Sequence, residues 1–264
     1  MTSTIGRHFF FLLCAACLPV SAAGAQTGEL RVAAASDLRP AFPTLADRFE
    51  RETGRRVGLT FGSSGNFFAQ IQNGAPFDVF FSADIDYPRR LEAAGLTEAG
   101  SLYPYATGRL VLWVRSDSGL DVETGLPMLL DSKVRRVAIA NPEHAPYGRA
   151  AVAALQHERL YERVRNKLVL GENVSQTAQF VHSGNAEAGI IALSLALAPA
   201  LRADGAYYEV PSSFHSPVDQ AAVILASSRN KDAARQFLTF LKRPDVIGLL
   251  QAFGFALPQA RLLR

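Results

Sequence analysis

The chain has 264 residues, of which 48% are hydrophobic and 19% are charged, with 27 basic and 24 acidic side chains. This composition is that of a globular protein and excludes a disordered or fibrous chain. The basic excess is small, and the pairs Arg55-Arg56, Arg89-Arg90 and Arg135-Arg136 are isolated. A protein that follows a phosphate backbone gathers such residues into a stripe, so we expect no nucleic-acid partner.

Residues 1–25 have the pattern of a secretory signal. Arg7 and His8 precede a short apolar stretch at 9–18, and the small residues Ala23-Gly24-Ala25 follow it. We therefore predict cleavage after Ala25 and a periplasmic location for the mature protein. The apolar stretch is about half of the ~20 residues that a membrane-spanning helix needs.

Both cysteines, Cys14 and Cys17, lie within this signal segment. The mature chain is therefore expected to contain no cysteine, which excludes disulfides, thiol catalysis and cysteine–metal sites. A lipid anchor on Cys17 is disfavoured, because Cys14 stands where a lipobox would begin with a leucine-type residue. Loss of Arg7 lowers the formal net charge from +3 by one.

Strand-like and helix-like segments alternate along the mature chain. Apolar runs predict strands at 30–35, 57–61, 77–81, 109–114, 136–140, 168–170, 188–192 and 218–225. Leu38, Phe42, Leu45 and Phe49 recur at helical spacing before Gly54, and further helices are predicted at 67–71, 148–160, 175–183, 232–241 and 245–253. This alternation is typical of an α/β fold with mainly parallel sheets that helices cover on both faces.

The number of short strands fits two lobes better than one. We expect the chain to cross between the lobes near 106–108 and again near 216–217. Residues 26–107 and 218–264 then form a discontinuous first lobe, and residues 108–217 form the second. Two lobes joined by crossing segments can hinge around a ligand.

Four strand-to-helix turns carry small, hydroxylic or amide residues where a helix begins. They lie at 35–38, 61–66, 140–148 and 171–176, and none of them contains Lys or Arg. The first residues of a helix expose backbone N–H groups that attract anions. Ligands of open α/β folds collect at the carboxyl ends of strands, so the four turns are expected to converge on one uncharged cage for a small oxyanion.

Ordinary helix capping explains each of these turns when it is taken singly. The chain contains neither a P-loop nor a G-x-G-x-x-G motif. The binding hypothesis therefore depends on the conjunction of all four turns in this chain order.

Five motifs together resemble those of the periplasmic molybdate-binding proteins of ABC importers. They are Ala-Ala-Ala-Ser-Asp-Leu (33–38), Phe-Gly-Ser-Ser-Gly (61–65), Gly-Ala-Pro-Phe-Asp-Val-Phe-Phe-Ser-Ala-Asp (74–84), Ala-Asn-Pro-Glu-His-Ala-Pro-Tyr-Gly (140–148) and Glu-Asn-Val-Ser-Gln (172–176). The likeness extends from Leu30 to about Leu257. It implies a two-lobed, type II-like periplasmic binding protein that closes on molybdate or tungstate and delivers it to an inner-membrane ABC permease. We expect a monomer that needs no cofactor and is not an enzyme.

By position in these motifs, the resemblance implies which residues bind the anion. They are Ser36, Ser64 with Ser63 beside it, Tyr147, and Val174 through its backbone N–H. Molybdenum would be held only through the oxygens of the oxyanion.

Two departures from the family pattern concern this site. Asp37 stands where a backbone N–H commonly points at the anion, and its carboxylate is expected to turn away and cap a helix, because a second negative charge in a dry site would repel the anion. Relatives with Ala at the position of Tyr147 have a binding tyrosine where this chain has Ala192, so the hydroxyl of Tyr147 is expected to donate instead. Asp78 and Asp84 are expected to form turn and strand-end hydrogen bonds, with support of the site or a hinge contact as the alternative.

Three other functions stay open from the residues alone. A hydrolase would need a histidine near Ser64, but the G-x-S-x-G elbow is missing, and the histidines of the mature chain show no metal-ligand spacing: His144, His157, His182 and His215. Ferric iron could be bound by Tyr207-Tyr208, although ordinary strand packing explains this pair better. A different oxyanion, sulfate or phosphate, is the third alternative. Cavity size separates sulfate from molybdate, and a protonated phosphate needs an acceptor such as Asp37.

Overall fold

The structure is a computed structural model that describes residues 1–2, 28–258 and 262. Most of the predicted signal segment lies outside the described residues, including Cys14, Cys17 and the cleavage point after Ala25. Among the described residues, no helix combines the length and the apolar character needed to cross a membrane.

Residues 28–258 contain two five-stranded sheets. The first has the order β2-β1-β3-β10-β4 and is formed by β1 (Leu30–Ala35), β2 (Val57–Gly62), β3 (Val79–Ser82), β4 (Tyr103–Gly108) and β10 (Val218–Ile224). The second has the order β7-β6-β8-β5-β9 and is formed by β5 (Leu110–Arg115), β6 (Val137–Ala140), β7 (Leu168–Gly171), β8 (Ala188–Ala192) and β9 (Gly205–Glu209). The predicted α/β fold is confirmed.

The apolar runs miss two strands, β4 and β9, although strand packing was considered for Tyr207-Tyr208 of β9. Both lie at the edge of a sheet. β4 contains Pro104, and the residues of β9 are exposed or only half-buried. An edge strand tolerates proline and polar residues because one side of its backbone has no ladder partner, so neither strand has the apolar run that marks a central strand.

Each sheet is mixed, with a single strand that runs antiparallel to the other four. β1 pairs in parallel with β2 and β3, whereas β10 pairs antiparallel with β3 and β4. In the second sheet β6 pairs in parallel with β7 and β8, whereas β5 pairs antiparallel with β8 and β9. Four of the five strands in each sheet therefore run in the same direction, and the expectation of mainly parallel sheets is confirmed. β5 and β10 directly follow the two crossings between the sheets, and each enters its new sheet in the opposite direction to the parallel strands.

Helices occupy most of the connections between strands. They are α1 (Phe42–Thr53), α2 (Ser64–Gln72), α3 (Asp86–Ala93), α4 (Pro146–His157), α5 (Tyr161–Val164), α6 (Val174–His182), α7 (Leu193–Ala196), α8 (Pro199–Asp204), α9 (Lys231–Leu241) and α10 (Pro244–Ala252). Short 3-10 helices lie at Ser36–Leu38, Ser116–Ser118, Val122–Thr124, Leu126–Leu130, Arg165–Lys167 and Ser212–Phe214. As predicted, α1 ends at Gly54, whose φ of 70° suits glycine.

Separate hydrophobic cores cover the two sheets. Beside the first sheet, the ring centroids of Phe42 and Phe81 are 4.9 Å apart and those of Phe49 and Phe237 are 5.1 Å apart, both in edge-to-face contact. In the second sheet, Trp113 of β5 is fully buried. Each sheet, together with its helices, therefore has a core of its own. Burial of one large apolar side chain in such a core contributes about 1.5–3 kcal/mol.

The chain passes between the sheets at two places. Arg109 alone separates β4 from β5, and Ser216-Pro217 directly precede β10. Residues 30–108 and 218–224 thus supply the first sheet, and residues 110–209 supply the second. We propose that these crossings bound the two lobes, with residues 26–107 and 218–264 in the first and residues 108–217 in the second.

Candidate anion-binding site between the two sheets

The four turns meet in one small cavity between the sheets. It is lined by Ala35, Ser36, Asp37, Gly62, Ser63, Ser64, Ala83, Ala145, Pro146, Tyr147, Asn173 and Val174. Its volume is about 10 Å³, which is far below the roughly 300–1,000 Å³ of pockets for drug-sized molecules. This lining contains no Lys or Arg, and it includes all six residues that the sequence analysis assigned to the site: Ser36, Asp37, Ser63, Ser64, Tyr147 and Val174.

Helix starts supply backbone donors to this cavity. Ser36 opens a 3-10 helix after β1, Ser64 opens α2 after β2, and Val174 opens α6 after β7. In α4 the first residue is Pro146, which has no N–H, so Tyr147 carries the first N–H of that helix. Because the first N–H groups of a helix have no intrahelical partner, each turn presents at least one donor to the cavity wall.

Glycine is required where α4 approaches its strand. A Cβ at Gly148 would overlap the carbonyl oxygen of Ala140 at the end of β6. The absence of a side chain therefore lets the first turn of α4 lie directly against β6, which positions Tyr147 at the cavity.

The hydroxyls of Ser36 and Ser64 are held by hydrogen bonds that they accept. Ser36 Oγ accepts from the N–H of Ser175 at 3.3 Å, and Ser64 Oγ accepts from the N–H of Ala83 at 2.9 Å. A serine hydroxyl that accepts still has a hydrogen to donate. Both side chains are almost fully buried, so they can donate to an anion in the cavity without competition from bulk water.

Ser63, His144 and Glu172 form a row beside the cavity. Ser63 Oγ lies 2.9 Å from His144 Nδ1, and His144 Nε2 lies 3.8 Å from Glu172 Oε2. The order of groups is that of a hydrolase triad, but Ser63 donates its hydrogen to the carbonyl oxygen of His144 at 2.6 Å. The imidazole therefore faces Ser63 Oγ as a hydrogen donor and does not serve as its base. The row joins the turn after β2 to turns of the second sheet.

Asp37 is completely buried in the cavity wall. The predicted helix cap is wrong, because the 3-10 helix at Ser36–Leu38 has no side-chain cap and Asp37 Oδ2 instead accepts from the hydroxyl of Tyr147 at 3.0 Å and from Gln220 Nε2 at 2.6 Å. Its Oδ1 has no hydrogen-bond partner among the described residues. Burial raises the pKa of Asp37 to about 6, against the opposing effect of the hydrogen bonds from Gln220 and Tyr147 and of the backbone N–H groups of Asp37 and Leu38.

Gln220 and Tyr105 are site residues that sequence reasoning missed. Tyr105 donates its hydroxyl hydrogen to Gln220 Oε1 at 2.6 Å, which orients the amide so that Nε2 faces Asp37. Gln220 lies in the apolar strand β10, 183 residues from Asp37. The one available signal was a lone glutamine in a fully buried strand, because such an amide needs partners.

The hydroxyl of Tyr147 is already engaged. It gives its hydrogen to Asp37 and accepts one from Gln220 Nε2 at 3.2 Å. Burial, together with the nearby Asp37 charge, raises the pKa of Tyr147 well above its ordinary value, so the phenol stays protonated. To donate to an anion, as predicted, this hydroxyl has to leave Asp37.

Further contacts hold the turns of the two sheets together. The hydroxyl of Ser194 donates to the carbonyl oxygen of Asp37 at 2.7 Å. Arg149 of α4 forms an ion pair with Asp84, which follows β3. Asp84 therefore bridges the sheets and also accepts from the N–H of Asp86 in its own turn at 2.9 Å.

Asp78 lies at the start of β3, at the opposite end of this strand from the cavity. It accepts hydrogen bonds from the N–H of Arg31, from Ser228 and from Asn230. Strand-end bonding, the more favoured alternative from the sequence, therefore describes its contacts.

The other candidate residues lie away from the cavity lining. Tyr207 and Tyr208 belong to β9 and pair with Trp113 and Leu112 of β5, in the packing that the sequence offered as the alternative to iron binding. Among the described residues, no group of three or more His, Cys, Asp and Glu side chains is arranged to hold a metal ion. Ala192 ends β8 immediately before α7.

The structure has two helix-flanked sheets with a cleft between them that is lined by hydrogen-bond donors, and the chain crosses twice from one sheet to the other. This is the architecture of a solute-binding protein. The chain belongs to the family described as bacterial extracellular solute-binding protein, whose model matches residues 30–256.

Particular relatives narrow this class. The protein named molybdate-binding protein ModA from Azotobacter vinelandii is 39% identical over 89% of this chain and 93% of its own length. The ModA protein from Rhodobacter capsulatus is 35% identical over 88% of this chain and 89% of its own length. The solved periplasmic molybdate-binding protein of A. vinelandii matches with a TM-score of 0.82 at 36% identity, over 88% of this chain and 100% of that one. The resemblance indicated by the motifs is confirmed.

Proposed function

We propose that this protein captures molybdate, or the equally shaped tungstate, in the periplasm and delivers it to an ABC permease in the inner membrane. The observation that carries the proposal is the convergence of four turns from two sheets on one small cavity without a cationic side chain. The names of the A. vinelandii and R. capsulatus relatives support the choice of anion.

Uncharged donors are sufficient for such an anion. A deprotonated tetrahedral oxyanion only accepts hydrogen bonds. We propose that the N–H groups of Ser36, Ser64, Tyr147 and Val174 and the hydroxyls of Ser36 and Ser64 supply them, with the N–H of Asp37 beside them and Ser63 holding the wall. The N-termini of α2, α4 and α6 add partial positive charge, and burial strengthens every one of these bonds.

Capture and release would use the hinge between the lobes. Contacts such as Ser175 with Ser36 and Ser194 with Asp37 join the two sides of the cleft, so opening the cleft breaks them. We propose that the anion stabilises the closed form and that the permease favours the open one. We propose that the protein acts as a monomer, and this role requires neither a cofactor nor a catalytic step.

Competition calorimetry on the mature chain tests the proposal. Molybdate and tungstate should bind with similar affinity and sulfate far more weakly, because sulfate is smaller and leaves donors without contact. Molybdate at about 100 times its Kd should stabilise the fold by about 2.7 kcal/mol. A preference for sulfate or phosphate over molybdate would overturn the assignment.

A serine pair locates the site. Ser64→Ala should weaken molybdate binding by roughly tenfold or more, because a hydrogen bond to a charged group contributes about 1.5–3 kcal/mol. Ser213→Ala removes an exposed hydroxyl from the 3-10 helix at Ser212–Phe214 and should leave the affinity unchanged. Equal affinities for the two variants would place the anion elsewhere.

A further inference from the structure

Beside the anion cavity, the start of α2 binds the turns of the second sheet. The carbonyl oxygen of His144, in the turn after β6, accepts from Ser63 Oγ at 2.6 Å and from the N–H of Gly65 at 2.9 Å. The imidazole of His144 adds its Nδ1 at 2.9 Å from the same serine oxygen. Asn66 of α2 donates from Nδ2 to the carboxylate of Glu172, which follows β7. We name these bonds the lip contact; it joins Ser63, Gly65 and Asn66 to His144 and Glu172.

The lip contact lies far from the places where the chain crosses between the sheets. Its residues directly follow β2, β6 and β7, and β2 and β7 are edge strands of their sheets. The crossings at Arg109 and at 216–217 join β4, β5 and β10, which lie toward the other edge of each sheet. When two lobes rotate about a hinge, the contacts farthest from it separate most. Opening of the cleft therefore breaks the lip contact.

Ser63 stands where a serine usually caps its own helix. It is the N-cap residue of α2, but it forms no capping hydrogen bond, and its hydroxyl hydrogen goes to His144 instead. The N–H of Gly65, which has no acceptor within the first turn of α2, also reaches His144. Once the cleft opens, Ser63 Oγ is free to accept from the first N–H groups of α2, as capping serines do. These groups therefore have one set of partners in the closed form and another within reach in the open form.

The absence of a side chain at Gly65 permits the closed form of the lip contact. A Cβ at this position would lie 2.6 Å from the carbonyl oxygen and 2.8 Å from the Cα of His144. The third nearest atom is the hydroxyl oxygen at the end of the Tyr87 side chain, at 2.8 Å. Gly65 does not have a positive φ, and alanine is more favourable than glycine in a helix. The glycine therefore weakens α2 within its own lobe, and it allows the other lobe to approach.

We propose that the lip contact is a latch that sets how long the closed cleft retains its anion, with Gly65 and His144 as positioning residues. Gly65, Asn66, His144 and Glu172 do not line the cavity, so they act on the anion only through closure of the cleft. An anion enters the open cleft before the latch forms, so the latch governs the dissociation rate rather than the association rate. The inference rests on the proposed function, because it concerns the release of the anion from the same site.

Gly65→Ala separates the latch from the stability of the lobe. Molybdate release from the mature protein, measured by stopped flow, should become at least roughly tenfold faster, because the new Cβ overlaps the His144 backbone. The melting temperature of the anion-free variant should equal or exceed that of wild type, because alanine favours the helix. The control Gly248→Ala, in α10 with open space around the new Cβ, should release molybdate at the wild-type rate. Equal release rates for Gly65→Ala and wild type would overturn the inference.

An exchange at Asn66 and Glu172 tests the latch without a steric change. Asn66→Asp sets two carboxylates against each other across the lip contact and should speed molybdate release by about two- to fivefold, with a smaller effect at high salt. Adding Glu172→Gln restores an amide opposite a carboxylate and should return the release rate to that of wild type. Where Gly65→Ala also lowers the melting temperature of the anion-free protein, this exchange decides. Release at the wild-type rate from Asn66→Asp would then overturn the inference.

Small-angle X-ray scattering measures closure of the cleft directly. Molybdate should reduce the radius of gyration of wild type and of Gly248→Ala, and reduce it less in Gly65→Ala, which a purely structural role of Gly65 would not produce. A wild type that binds molybdate in calorimetry, together with variants that release it at the same rate, would overturn the latch and leave the proposed function intact. A wild type that does not bind molybdate would overturn the proposed function and the latch with it.

Discussion

Replacing Asp37, a completely buried carboxylate, by Asn should make the protein more stable relative to wild type above neutral pH than it is in acid. The folded protein holds the pKa of Asp37 at about 6, compared with an ordinary value of 3.8. The folded state therefore keeps a proton that the unfolded chain releases between these two values. Stability consequently falls as the pH rises through this window, and the full loss is present above it.

The size of the effect follows from the shift. About two pKa units at about 1.36 kcal/mol each give a loss of about 3 kcal/mol, which a neutral Asn avoids. Asp37→Asn should therefore gain about 3 kcal/mol over wild type at about pH 8, relative to the difference at about pH 4, where Asp37 is itself neutral. For a chain of this length, this corresponds to a rise of about 6–12 °C in Tm.

Urea unfolding of both proteins at several pH values, without added oxyanion, measures this difference. Asp78→Asn is the matched control, because both oxygens of Asp78 accept hydrogen bonds, from Arg31, Ser228 and Asn230. An amide there turns one accepting oxygen into a donor against a donor, so this variant should lose stability. If the stability difference between Asp37→Asn and wild type is the same at about pH 8 as at about pH 4, burial of the Asp37 carboxylate does not carry this cost.

Three further predictions concern contacts around the cavity. Tyr147→Phe removes the hydrogen bond to Asp37 and should lower the free energy of unfolding by about 1–2 kcal/mol. The affinity for molybdate, measured by calorimetry, should change by less than about tenfold. A larger loss of affinity would show that the hydroxyl reaches the anion. Gly108→Ala places a Cβ on the Tyr147 hydroxyl and 2.8 Å from Gln220 Nε2, so the free energy of unfolding should fall by about 1–3 kcal/mol. The control Gly248→Ala has open space around the new Cβ and should be neutral or stabilising. Equal melting temperatures of the two variants would contradict this prediction. Arg149→Gln breaks the ion pair with Asp84 between the lobes. Because such pairs contribute about 1 kcal/mol or less, molybdate release measured by stopped flow should become faster by up to about fivefold. Slower release would refute this prediction.

Local sequence patterns determined most of the secondary structure and the composition of the site. Hydrophobic periodicity and turn residues predicted eight of the ten strands found within residues 28–258, and the turn residues identified four helix starts that the structure brings to one cavity. These features depend on neighbours a few residues apart, such as Gly54 ending α1 or Pro146 opening α4. Hydrogen bonding and packing within one turn set them, so a short stretch of chain contains the necessary information.

Only the tertiary structure decided how the groups of the site are paired. Three of these contacts join residues that are far apart in the chain: Gln220 with Asp37, Tyr105 with Gln220, and His144 with Ser63. The edge positions of β4 and β9 and the antiparallel entry of β5 and β10 were equally invisible locally. The physical reason is common to all of them: hydrogen bonds between distant segments depend on how the sheets pack, and a residue's own neighbours do not encode which distant group will lie within 3 Å of it.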